Sequence, residues 1–183
     1  YALRNVFSHR ERGKYVADVK EIALTEIDKI IKNIRTPQTV LQKFGKWVYT
    51  TKKDQPIKNV IKKMEEEIYT HVPVYSVEGK FSGVFAYSTL FSWLANQLNK
   101  SDDMEIVFSK THMGDISEKY LFSPSVNFDW VEESKSIYEI VPIFEDKVNA
   151  DKRLDCLFIT KNGSTEEKIT GIITSWDLPT IKN

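Results

Sequence analysis

Gly171-Ile172-Ile173-Thr174-Ser175-Trp176-Asp177-Leu178, near the C-terminal end, is the stretch on which the fold turns. Its first three residues read as a buried strand, and the rest as the first turn of a helix. A hydroxyl stands at the junction and a carboxylate lies three residues on. Backbone N–H groups, a hydroxyl and an acceptor collected at one strand–helix junction suit a phosphate and a ribose. The same Thr-x-x-Asp spacing is also close to a capping box, in which both side chains only satisfy N–H groups left over at the helix start. The motif alone leaves both readings open.

Working outward, the stretch has a sister earlier in the chain, Gly83-Val84-Phe85-Ala86-Tyr87-Ser88-Thr89. An internal repeat surrounds the two. Asp54-Gln55-Pro56 introduces a helix with apolar positions Ile57, Val60, Ile61 and Met64; Ser134-Lys135-Ser136 introduces another with Ile137, Ile140, Val141 and Phe144 in the same helical register. Each helix leads to an apolar strand, His71-Val72-Pro73-Val74-Tyr75 or Cys156-Leu157-Phe158-Ile159-Thr160. Each strand meets a glycine turn, Glu78-Gly79 or Asn162-Gly163, and returns as a hairpin through Phe81–Phe85 or Ile169–Ile173. A second helix is expected to close each unit, from near Ala86 and near Thr174. Each unit therefore runs strand–helix–strand–strand–helix, an α/β (α+β) pattern. Units this small bury little alone, so the two are expected to pack sheet to sheet as a pseudo-twofold pair.

Before the repeats, residues 1–36 read as a charged helical segment, with Ile22, Leu24, Ile27, Ile30, Ile31 and Ile34 forming its apolar face. Thr36-Pro37 ends it, because a residue before proline is pushed out of the helical region. The expected divisions are 1–36, a first repeat at 37–100, and a linker with the second repeat at 101–183. The segment joining the repeats reads as a surface connection with one short helix. In the first unit Leu90, Trp93, Leu94 and Leu98 form a stripe read as core. A chain that opens on Tyr1 reads as a piece of a longer protein.

Composition narrows the function. The 183 residues are 41% hydrophobic and 12% aromatic, as in a globular protein, and no apolar stretch is long enough to span a bilayer. Basic and acidic residues both number 26, so no broad field draws the chain to nucleic acid or membrane. Cys156, the single cysteine, lies in an apolar run and reads as a small buried hydrophobe, in a chain compatible with the reducing cytoplasm. His9, His71 and His112 are scattered, which speaks against a structural zinc. There is no phosphate-cradling glycine loop and no nucleophile–base spacing, so the chain reads as no enzyme, with no catalytic or metal residues.

Two such units, with Val-Pro-Val-Tyr in a central strand and Gly-Ile-Ile-Thr-Ser-Trp-Asp at a strand–helix junction, resemble a tandem CBS-domain pair, or Bateman module, over about residues 37–183. The resemblance implies a regulatory module that senses an adenosine nucleotide (AMP, ADP or ATP) in a cleft between the repeats. Asp177 would take the ribose hydroxyls and Thr174 the phosphate, with Ser175 beside them. It also implies a homodimer through the CBS helices. His71 stands where several relatives carry a basic residue that reaches phosphates. A structural histidine is the other reading. Adenine would need apolar walls, for which Ile173 and the lead-in Val126-Asn127-Phe128 are candidates. Gly171 would let backbone or ligand approach closely, or simply mark a strand bend.

In the sister copy Ala86 replaces the hydroxyl and Thr89 the carboxylate, which predicts one occupied cleft and not two. Arg4 and His9 resemble the Arg-x4-His motif on the last helix of HEPN domains, some of which cleave RNA. Three hypotheses follow: a nucleotide sensor, a ligand-free dimerisation module, or the regulatory part of a HEPN-type RNA-processing protein, with no nucleic acid bound by this chain alone.

Overall fold

The computed structural model describes residues 21–98, 103–116, 118–122, 126–150 and 153–181. It divides into two units, one ending at Pro37 and the other spanning Gln38–Asn183. Arg4, His9 and the HEPN resemblance lie outside the described residues. In the first unit, helix α1 (Glu21–Arg35) is amphipathic as its isoleucine spacing dictates, and none of its residues is buried. It ends at Thr36, whose N–H and hydroxyl both donate to the Lys32 carbonyl, at 2.8 and 3.0 Å.

The second unit holds two three-stranded sheets of the same design. In the first, β1 (Thr51–Lys52) pairs in parallel with β2 (His71–Tyr75), which pairs antiparallel with β3 (Phe81–Ala86). In the second, β4 (Phe128–Glu132), β5 (Cys156–Thr160) and β6 (Gly171–Thr174) repeat that order. Helix α2 (Val40–Phe44) precedes the first sheet, and α3 (Ile57–Glu66) connects β1 to β2. After β3 come α4 (Tyr87–Leu98), α5 (Met104–Lys110) and α6 (Glu118–Leu121). Helix α7 (Ile140–Asn149) connects β4 to β5. The repeat is thus present as read, with two refinements. Ile137 sits in a 3-10 turn ahead of α7, and the closing helix of the second repeat is only a 3-10 helix, Ser175–Thr180, with Pro179 inside it. Proline removes a backbone donor, which limits that segment to tight turns.

Side chains sort by strand alternation. Along β5, Cys156 and Phe158 face the first repeat and pack with Val84, Ala86 and Val126, whereas Leu157 and Ile159 face the helices of their own repeat with Ile140, Phe144 and Ile173. Every residue of this central strand is buried. Burial raises the Cys156 thiol pKa, so it packs as an inert hydrophobe. On the far side Ile57, Val60, Met64, Val72, Val74, Phe85 and Trp93 form the helix–sheet core of the first repeat. The expected stripe on α4 is only partly core: Trp93 is buried, but Leu98 is 63% exposed at the helix end.

Pro73 in a central strand is unusual, since it cannot donate to a ladder. It is tolerated because β1 joins β2 only from Val74 onward and the β2–β3 register shifts between Pro73 and Tyr75.

The two repeats exchange the helices that precede them. Val40 and Phe44 of α2, before the first repeat, belong to the core of the second. Backbone bonds hold them there: the Val40 N–H donates to the Lys135 carbonyl at 2.8 Å and the Ile137 N–H to the Gln38 carbonyl at 3.1 Å. Reciprocally, Met113, Ile116 and Leu121, before the second repeat, lie in the core of the first. Two glycines, Gly83 within β3 and Gly171 at the start of β6, mark the contact points. A Cβ on Gly83 would lie 2.6 Å from Leu121 Cβ, and one on Gly171 would lie 2.6 Å from the Phe44 carbonyl oxygen. Of the two readings of Gly171, the close approach is correct, and the approaching group is the chain's own backbone.

Candidate functional site: the cleft beneath Asp177

The exchange carries the chain after α2 alongside β6. Gly45 bridges Gly171, and the Lys46 N–H donates to the Thr170 carbonyl at 3.0 Å. Lys46 is thereby placed beside the sheet of the other repeat. The start of β2 reaches the same place. Helix α3 ends at Glu66 with Glu67 as its C-cap, and Ile68 follows in the left-handed region at φ 59°. The Ile68 N–H donates to Glu65 and the Tyr69 N–H to Met64, the paired bonds of a Schellman ending. That position ordinarily favours glycine; here a β-branched side chain is held there and left 81% exposed.

These elements enclose a cleft of about 410 Å³ lined by Lys46, Tyr69, His71, Ile172, Thr174 and Asp177, with Ile68, Thr70 and Trp176 at its sides. Its volume lies in the range of small-ligand sites. Thr174 and Asp177 are joined: one carboxylate oxygen, Asp177 Oδ2, accepts from the Thr174 N–H at 2.7 Å and from the Thr174 hydroxyl at 2.8 Å. The N–H bond is the reciprocal half of a capping box, so the capping reading of the motif holds as geometry. The other carboxylate oxygen takes part in neither bond, and both residues still line the cleft.

His71 joins them from the opposite repeat. Its Nδ1 lies 2.9 Å from the Thr70 hydroxyl. Burial lowers its pKa, Asp155 works in the opposite sense, and Arg153 lowers it further. Strand register confirms the matching of the copies, because His71 pairs with Ala86 as Cys156 pairs with Thr174.

Other expected residues are not brought to this cleft. Ile173 is fully buried in the helix-side core; with a side-chain period of two, it is Ile172 that faces the cleft. Phe128 packs its ring on Phe81 and Phe158, with centroids 5.5 and 5.9 Å away, in the layer between the sheets. Asn127 is tied to Asp155, its N–H donating to Oδ2 at 3.0 Å and its carbonyl accepting from the Asp155 N–H at 2.7 Å. Ser175 is exposed and lines a neighbouring cavity instead. The walls that sequence reasoning missed are Lys46, Tyr69 and Ile172. Only the helix exchange, which has no local signal, puts the first of these there.

In the sister position, Thr89 is fully buried and its hydroxyl lies 3.4 Å from the carbonyls of both Val84 and Tyr120. It serves the packing. Among the described residues no group of three or more His, Cys, Asp or Glu could hold a metal, and no helix is long and apolar enough to cross a membrane.

A family model of the CBS domain matches residues 48–96, which run from just before β1 through most of α4. Residues 48–96 are a CBS domain. CBS domains are generally regulatory, ligand-binding modules. The whole second unit has the fold of paired CBS-domain proteins. A CBS domain protein from Streptococcus pneumoniae superposes with a TM-score of 0.54 at 17% identity, over 87% of this chain and 91% of that one. The CBS domain of a CBS-domain-containing membrane protein from Sphaerobacter thermophilus gives 0.54 at 16%, over 88% and 98%. A CBS-domain-containing protein from Agrobacterium tumefaciens gives 0.53 at 15%, over 78% and 90%. At such identities the likeness is one of fold alone. No curated protein matches the sequence.

Proposed function

We propose that this CBS pair is a cytoplasmic regulatory module that binds one adenosine nucleotide, AMP, ADP or ATP, in the cleft beneath Asp177. One observation carries the reading: a cleft of about 410 Å³ draws Asp177 and Thr174 from one repeat and His71 from the other, with the Lys46 ammonium beside them. A carboxylate with an uncommitted oxygen accepts from a ribose diol. An imidazole and an ammonium face a phosphate, joined by the Thr174 hydroxyl once it turns from Asp177, while Ile172 and Tyr69 offer walls to a base. Because the ligand would touch both repeats, its binding energy would favour the arrangement that closes them around it, which is how a module of this kind reports to an attached domain or partner. The buried Thr89 in the sister position supports one site per chain.

Thermal unfolding with AMP, ADP and ATP tests this, since a ligand that binds only the folded state raises the midpoint by mass action. The midpoint should rise with nucleotide in the wild type and not in Asp177→Ala. A response that survives in Asp177→Ala would remove the site from this cleft.

A second reading draws on the closed Thr174–Asp177 pair and on the apolar groups that α4 and α7 expose, Phe91 at 70% and Val148 at 66%. There the module is a ligand-free homodimer through its CBS helices. Light scattering on the same samples separates the readings: a dimer with no nucleotide response favours the second.

A further inference from the structure

A cavity of about 640 Å³ lies between the hairpins of the two repeats, lined by residues 79–81 of one and 165–170 of the other. That volume is in the range of small-ligand sites. Of its lining residues, Lys46 alone also lines the cleft beneath Asp177. Strand β2 separates the two: His71 opens it at the cleft, and Tyr75 ends it at the cavity, about 13 Å further on. The helix exchange makes this space. The Lys46 N–H donates to the Thr170 carbonyl, and the chain then leaves the second repeat for β1 of the first. Among the described residues no further backbone hydrogen bond joins residues 47–50 to 165–169, and the cavity lies between these segments.

Its inner wall is apolar and firm. Val48, Phe81 and Ile169 belong to the layer between the sheets, and the Phe81 ring meets those of Tyr75 and Trp130 at 5.9 and 5.1 Å. Trp47 lines the cavity as well, with 72% of its surface exposed. Walls of this kind take the face or edge of a flat apolar body. Charge is added by Lys46, Lys80 and Lys168, set against Glu166 and Glu167. Among the described residues none of these three ammonium groups is in a salt bridge. Glu167 is already committed to its own turn, accepting from the Asn162 N–H at 2.7 Å and from the Asn162 side-chain amide. The lining thus offers unpaired positive charge beside an aromatic wall. We propose that this cavity is a second small-molecule site, which takes a flat apolar body carrying an anionic group such as a carboxylate or sulfonate. The site stands apart from the nucleotide reading and is tested apart from it.

Anilinonaphthalene sulfonate has both features, and phenylnaphthylamine is the same body without the charge. Each is titrated into the isotope-labelled 183-residue chain while backbone amide shifts are followed by NMR. The sulfonate should saturate, with its shifts clustered at residues 46–50, 79–81 and 165–170. It should bind about fivefold tighter than the neutral amine, the range of partly screened ion pairs. Lys80→Glu and Lys168→Glu, both exposed and outside the cleft beneath Asp177, should weaken the sulfonate by a similar factor and leave the amine unchanged. Shifts clustered elsewhere, no saturable binding, equal affinity for the two compounds, or indifference to both substitutions overturns the site.

Discussion

At Gly171 the strand has no room for a side chain. A Cβ there would lie 2.6 Å from both the Phe44 carbonyl oxygen and Ile159 Cδ1. The isoleucine tip can turn away; the carbonyl, part of the chain that crosses from α2, cannot move without breaking the crossing. Gly171→Ala should therefore cost about 1–3 kcal/mol, the range for overpacking a tight site. Equilibrium urea unfolding will show it, and an unchanged midpoint would mean the crossing is softer than its geometry. At the same scale, Thr174 and Asp177 act on each other as well as on a ligand. Loss of nucleotide response in Asp177→Ala must accordingly be read beside its unliganded stability, which should fall by about 1 kcal/mol as for other lost caps. Gly171, Thr174, Asp177 and His71 were all legible as special from the sequence. Ile173 was misplaced by one residue, and in a strand one residue is the difference between the two faces.

At the scale of elements, the exchanged helices decide how the two repeats become one unit. α2 opens with a full capping box, the Gln42 N–H donating to the Thr39 hydroxyl at 3.2 Å and the Thr39 N–H to the Gln42 side chain at 3.0 Å. Its five residues could not persist as an isolated helix. Burial of Val40 and Phe44 against Ile137, Ile140 and Ile159 holds it. Phe44→Ala should lower stability by about 3–5 kcal/mol, the usual cost of removing a buried phenyl group. Because that core belongs to the second repeat, hydrogen exchange should quicken first in β5 and β6 although the change lies before β1. Faster exchange confined to β1–β3 would refute the exchange of helices. The repeat itself was readable, since periodicity and glycine turns are local. The exchange was not, because nothing in Gln38–Lys46 says which of two similar cores it enters.

For the whole molecule, pH is the simplest probe of the cleft, because His71 sits at the junction of both repeats. Asp155 and Arg153 act on it from the β5 side, Asp177 and Lys46 share the cleft, and Thr70 is its hydrogen-bond partner. Its folded pKa lies below the ordinary histidine value, chiefly through burial. Between the two values the unfolded chain binds more protons than the folded one, so stability rises with pH there and is lost as pH falls below about 6.5. The unliganded chain should melt at progressively lower temperature from about pH 7.5 to 5.5, and His71→Gln should flatten the part of that slope due to His71. A phosphate held near the ring would stabilise its charged form, so saturating nucleotide should reduce the slope as well. An identical slope in wild type and His71→Gln would show that His71 does not titrate in this window.

The amino-acid sequence by itself determined what is local: the strands by their apolar alternation, the connecting helices by their spacing, the hairpins by Gly79 and Gly163, and a junction carrying Thr174 and Asp177. Those features depend on neighbours a few residues away, which the order of residues specifies directly. Tertiary structure alone decided which groups meet. It crossed α2 into the second repeat, set Lys46 and His71 opposite Asp177, and turned Ile172 and not Ile173 to the cleft. The physical reason is that each repeat is too small to close its own core. Each is completed by a segment from before the other, and that long-range burial places the residues of the cleft.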